Sequence, residues 1–230
     1  MTSAASSNDH LTIVLDVSRS MLNMQDAAYS GVAELATVAK ETVTIHHFND
    51  KVTLGEPQDA AAFDAHSITK RAEGTTALYD AIVAVVEYEL ARDVAGMRTI
   101  VILTDGMNTA GQATALDAAQ AIERSRAAQI EVKYIGSNQS LAYATSMGVR
   151  QGDALLYEPT SDGMFRGLAA VRRAVSQRSS DGSSSSFTVA ERAASLPAPD
   201  NSEHTRHVDV VAPPLITRQH SVVWRPDLRA

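Results

Sequence analysis

The stretch Leu11-Thr12-Ile13-Val14-Leu15-Asp16-Val17-Ser18-Arg19-Ser20 decides how the rest of the chain is read. Apolar and β-branched residues run through to Leu15 without the alternation of a half-wet strand. Such a run marks a strand buried on both faces, as in a parallel sheet with helices above and below. Asp16 closes the run, and two hydroxyls, Ser18 and Ser20, follow at alternating positions. In an extended or turning backbone those positions can face one way. One charged oxygen donor and two neutral ones suit a hard divalent cation.

Outward from this stretch, Val43–Phe48, Thr99–Thr104, Ile130–Ile135 and Ala154–Tyr157 read as further strands. Lys51–Leu54 is a short one, joined to Val43–Phe48 through Asn49-Asp50, a pair suited to a tight turn. Thr99–Thr104 is the most hydrophobic and is expected at the centre. Between the strands, apolar residues recur at helical spacing over Leu22–Lys40, Thr76–Asp93, Leu116–Ala128, Asn138–Met147 and Gly163–Gln177. Alternating strands and helices imply right-handed crossovers. The expected fold class is α/β: a doubly wound, mostly parallel sheet with one antiparallel edge strand and helices on both faces.

Two further segments fall on the same rim as Asp16. In Gly74-Thr75-Thr76-Ala77-Leu78-Tyr79-Asp80 a glycine turn delivers threonines to a helix start. There Thr76 can cap the helix through its hydroxyl or offer that oxygen to an ion. Thr75 is the alternative register, and Asp80 reads as a helix-face residue. In Leu103-Thr104-Asp105-Gly106 a second carboxylate ends the central strand, and the glycine permits a sharp exit. Ligands of open α/β sheets bind at the carboxyl ends of strands, where strand order reverses. The candidate metal ligands are therefore Asp16, Ser18, Ser20, Thr76 and Asp105.

DxSxS after a first strand, a distant Thr before a helix and TDG after a hydrophobic strand resemble the metal-ion-dependent adhesion site of the von Willebrand factor A family. GTTALYDAI at 74–82 and ILTDG at 102–106 are similar to that family's own wording, and the resemblance covers about residues 10–177. Gly136-Ser137-Asn138-Gln139, followed by a helix, resembles the bacterial and phage cytoplasmic members. The resemblance implies a Rossmann-like fold with an intact site. In it Ser18 and Ser20 bind the metal directly, and Thr76 binds directly or through water. Asp16 and Asp105 act mostly through water or hydrogen bonds. The resemblance also implies Mg²⁺ or Mn²⁺ as the ion and a partner protein that offers Asp or Glu to it. Relatives work, among other settings, beside ATPases of the AAA+ class. Mg²⁺ takes about six oxygens at roughly 2.0–2.1 Å and keeps some waters. Few direct carboxylates leave it seeking one more anionic oxygen. Arg19 stands where the family commonly has a small residue, placing a long cation beside the rim.

Composition excludes several functions. Residues 1–177 carry 14 basic and 21 acidic side chains, and residues 178–230 carry 6 of each, so the net charge of −7 lies wholly in the first part. An acidic domain without a basic stripe is a poor nucleic-acid binder. No apolar run approaches the roughly 18 residues of a membrane span. The first residues lack the basic and apolar regions of a secretory leader, and cysteine is absent, so the expected location is cytoplasmic. An enzyme is not expected. A phosphoryl-transfer hydrolase of the haloacid dehalogenase type needs an Asp where Ser18 stands, and a serine cannot shuttle a proton at neutral pH. Neither G-x-x-x-x-G-K nor G-x-S-x-G occurs. The remaining alternative is a scaffold that binds through its tail with a silent metal site. His46 and His47, adjacent in a strand, point to opposite faces and do not share a metal.

The expected organisation is a flexible N-terminus over 1–9, a domain over 10–177, a disordered Ser/Pro-containing linker over 178–205 and a C-terminal segment over 206–230. The last holds Trp224 and is read as a docking or partner-binding piece.

Overall fold

A computed structural model of the chain describes residues 9–64, 68, 71–137, 141–181 and 185–196. The sheet is built from β1 (Asp9–Asp16), β2 (Thr42–Phe48), β3 (Val52–Thr53), β4 (Gln58–Asp59), β5 (Met97–Thr104), β6 (Ile130–Gly136) and β7 (Ala154–Leu156). The helices are α1 (Gln25–Ala36), α2 (Leu78–Ala91), α3 (Ala115–Ala127), α4 (Leu141–Ser146), α5 (Ser161–Asp181) and α6 (Val189–Ser195). A 3-10 turn, Arg19–Asn23, precedes α1.

Strand order is β3-β2-β1-β5-β6-β7, with β1, β2, β5, β6 and β7 parallel. The expected antiparallel edge is present as β3, and β4 also pairs antiparallel with β2. Thr99–Thr104 is central as expected, flanked by β1 and β6. The chain leaves β1 toward β2 and returns to β5 on the other side. The order therefore reverses between β1 and β5, and a crevice opens there at their carboxyl ends.

The uninterrupted apolar run of β1 follows from burial on both faces. Leu11, Ile13 and Leu15 join a core with Val32 and Leu35 of α1 and Leu168 and Val171 of α5. Val14 joins the opposite core, with Leu78, Ile82 and Val85 of α2 and Ile122 of α3. Each fully buried Leu, Ile or Val contributes about 1.5–3 kcal/mol, and strands wetted on one side forfeit half of that set. His46 and His47 are both buried and point apart. His46 Nδ1 accepts from Gly55 N at 2.9 Å, and His47 Nε2 lies 3.1 Å from the Ile68 carbonyl. No helix among the described residues is long and apolar enough to cross a membrane.

The expected disordered linker from residue 178 is corrected where the residues are described. α5 runs on to Asp181, and Thr188 opens α6 with a capping box closed by Glu191. Phe187 is buried at 2% exposure against the α5 side of the sheet. Composition pointed to solvated chain, but two long-range anchors outweigh it. Buried Lys133 donates to the Ser185 carbonyl at 2.6 Å, and Arg173 pairs with Glu191. Residues 1–8, 197–205 and the segment 206–230 lie outside the described residues.

Candidate metal centre

Asp16 is the last residue of β1 and is 1% exposed. Its Oδ1 accepts from Ser18 N at 2.8 Å and its Oδ2 from Thr104 Oγ1 at 2.6 Å. Both oxygens are thus held by the protein, and the carboxylate braces the loop that carries the serines. Ser20 Oγ donates to Asp105 Oδ1 at 2.7 Å, and the Ser18 and Ser20 hydroxyls share a hydrogen bond at 3.1 Å. Thr76 reaches the same spot. A Cβ on Gly106 would stand 3.4 Å from Thr76 Oγ1 and 3.8 Å from Ser20 Oγ. The two hydroxyls thus flank Gly106. All five candidate side chains therefore meet at the β1–β5 crevice.

Thr76 does not cap α2. The N-cap position is Ala77, which has no side-chain cap. The β5–α3 loop instead serves one amide in the first turn of α2 and one just ahead of the helix. Thr109 Oγ1 accepts from Thr76 N and Asn108 Oδ1 from Tyr79 N, both at 3.0 Å. Capping in trans leaves the Thr76 hydroxyl available to a ligand, and among the described residues it makes no hydrogen bond. The same loop is tied down further. Asn108 N donates to Tyr143 Oη at 2.8 Å, and Asp80 accepts from Gln112 N and Ala113 N.

Asp80, read from the sequence as a helix-face residue, is thus the latch of the loop that carries Asp105. Gly111 has φ +94°, and a Cβ there would lie 2.6 Å from Asp80 Oδ2. Gly111→Ala should therefore cost about 1–3 kcal/mol, through positive φ and displacement of the latch. A thermal melt within a degree of wild type would contradict this account.

Burial pushes the Asp16 pKa up to about 6, against the hydrogen bonds from Thr104 and Ser18, while the Asp105 charge adds a smaller upward push. Burial raises that of Asp105 as well, opposed by its bond from Ser20. Two carboxylates whose ionisation is disfavoured in this way are stabilised as anions by a nearby cation.

Among the described residues no group of three or more His, Cys, Asp or Glu gathers. The set here is two carboxylates and three hydroxyls, all oxygen. That chemistry fits Mg²⁺, Mn²⁺ or Ca²⁺ better than the nitrogen and sulfur ligation usual for zinc. Sequence reasoning passed over Thr104 as a brace and Asn108 and Thr109 as caps. Thr104 had a signal, a hydroxyl ending an otherwise apolar strand, whereas the loop residues had none.

No family model matches the sequence, and no curated protein matches it. Solved structures do resemble it. A von Willebrand factor type A protein from Catenulispora acidiphila superposes with TM-score 0.54 at 16% identity, over 75% of this chain and 43% of that one. The fold is that of a von Willebrand factor A domain. The pilus adhesin SpaC from Lactobacillus rhamnosus GG superposes with TM-score 0.64 at 12% identity, over 76% and 30% of the two chains. Proximal thread matrix protein 1 of the mussel byssus, in a structure with a zinc-occupied metal-ion-dependent adhesion motif, gives 0.57 at 14% identity, over 76% and 45%. This chain spans less than half the length of each of these proteins.

Proposed function

We propose that this A domain is a metal-dependent protein-binding module, in which a Mg²⁺ or Mn²⁺ ion at the β1–β5 crevice coordinates an acidic residue of a partner protein. The observation that carries the proposal is the meeting of Asp16, Ser18, Ser20, Thr76 and Asp105 at the switch point of the sheet. In this reading Ser18, Ser20 and Thr76 turn hydroxyl lone pairs to the ion. Asp16 orients the serine loop, and Asp105 orients Ser20. A bound ion supplies an electron-poor centre on which a partner carboxylate completes the oxygen shell. The zinc held at the corresponding motif of the byssus protein supports a divalent ion in this fold. We propose binding without catalysis. Ser18 stands where a hydrolase would need an acid.

Titration calorimetry with MgCl₂ and MnCl₂ tests the metal. Wild type should bind, and the Ser18→Ala/Ser20→Ala variant should give no binding heat. Equal heats from the two proteins would sink the proposal. Affinity capture in magnesium then tests the grip, because Asp105→Ala should lose the proteins that wild type retains. Identical partner sets would remove the site from the interaction.

A further inference from the structure

The surface beside the metal centre carries unmatched positive charge. Among the described residues Arg92, Arg124, Arg126, Arg166, Arg173 and Arg178 form ion pairs, and Arg98 and Arg192 donate to backbone carbonyls. The other described arginines, Arg19, Arg71, Arg150 and Arg172, do neither with a described residue. Arg19 and Arg71 share one cleft of about 360 Å³ with Leu22, Ala72, Glu73 and Gly74. That cleft adjoins the metal centre. Arg19 lies between Ser18 and Ser20, and its amide donates to the Gly74 carbonyl at 3.1 Å, just ahead of Thr76.

We propose that this cleft is a second recognition site, in which Arg19 and Arg71 bind a second carboxylate of the same partner segment whose first carboxylate meets the metal. The proposal rests on the metal-centred reading above and names the partner chemistry: a peptide segment with two acidic side chains. Guanidinium forks match carboxylates in bidentate geometry. Glu73 in the same cleft leaves one net positive charge. That balance suits a single carboxylate and disfavours a phosphate, which carries nearly two negative charges. Leu22 is 51% exposed and offers an apolar wall, and Met107, 56% exposed, stands two residues beyond Asp105. An aliphatic side chain on the partner segment fits between or beside the two acids. The whole chain carries a net −7, so an acidic partner is repelled by most of the surface. A local basic cleft then steers encounter toward the rim.

Random peptides displayed on phage and panned on the full chain in magnesium test this. The enriched sequences should carry paired acidic residues with an aliphatic neighbour. Against such a synthetic peptide, Arg19→Ala/Arg71→Ala should weaken binding about three- to tenfold, mostly through a slower association rate with a flatter salt dependence. Neutralising the peptide's second acid should weaken wild-type binding likewise and leave the double variant unchanged. Enrichment of single acids, no acidic enrichment, or equal affinity in the arginine variant would each overturn the cleft. Ser18→Ala/Ser20→Ala assayed alongside separates the two ideas. Binding that survives in that variant but fails in the arginine variant leaves the cleft standing and defeats the metal reading. The reverse pattern defeats the cleft alone.

Discussion

Lys133→Met is expected to destabilise the fold by about 3–5 kcal/mol, the usual cost of stripping one partner from a buried ion pair. Lys133 sits in β6 with a side chain 0% exposed. Its Nζ donates to Asp153 Oδ1 at 2.6 Å, faces Glu131 Oε1 at 2.9 Å and donates to the Ser185 carbonyl at 2.6 Å. The Phe187 ring closes over it at 5.5 Å. Methionine keeps the bulk and leaves Asp153 without its cation, whereas Glu131 retains Arg178 at 2.6 Å. The Ser185 carbonyl loses its donor too, so the 185–196 segment should loosen first. Urea unfolding measures the loss. Adding Asp153→Leu should recover part of it, because the uncompensated charge goes with it. A loss below about 1 kcal/mol would mean that Lys133 is far better solvated than its burial implies.

Asp16→Asn is expected to separate stability from metal affinity. The wild-type carboxylate has its pKa pushed up to about 6 from 3.8 by burial. A raised pKa means that the folded state holds this proton more tightly than the unfolded one. The associated stability is complete below about pH 4 and is lost as pH rises through about 6, amounting to about 2–3 kcal/mol by pH 7 without metal. Asparagine avoids that penalty. Its oxygen accepts from Ser18 N and its amide donates to the Thr104 hydroxyl, which can rotate. Metal-free Asp16→Asn should therefore melt at or above wild type at pH 7.5, and the difference should vanish near pH 4. Its Mg²⁺ affinity should fall about 10–100-fold, the typical cost of losing a group that orients metal ligands. In wild type, stabilisation by Mg²⁺ should be larger at pH 7.5 than at pH 5, because proton and cation compete for the same charge. Equal Mg²⁺ stabilisation at both pH values would contradict the competition.

Much of the fold was legible because its signals are local. Doubly buried strands read as unbroken apolar runs, and helices read as apolar repeats at their own period. The helix expected from Leu22 starts only at Gln25, and the 3-10 turn at Arg19–Asn23 before it has too few residues to show a period. The Thr188-to-Glu191 capping box was also written locally, as Thr-Val-Ala-Glu, yet the serine-rich run before it dominated the reading of that region.

By itself, then, the amino-acid sequence determined the order of the main strands and helices, the two apolar faces of the sheet and the residue types at its rim. Tertiary structure alone decided which polar groups meet there. Asp16 and Thr104 are 88 positions apart, and Ser20 and Asp105 are 85 apart. Only the placement of β5 beside β1 joins them. The same holds for the hydrogen bonds that Asn108 and Thr109 lend around the start of α2, for the pairing of Arg19 with Arg71 in one cleft and for the burial of Lys133 beneath Phe187. Periodicity follows from the repeat of the backbone and can be read in one short window. Partnership between distant polar side chains follows from strand order and packing, which exist only once the chain has closed on itself.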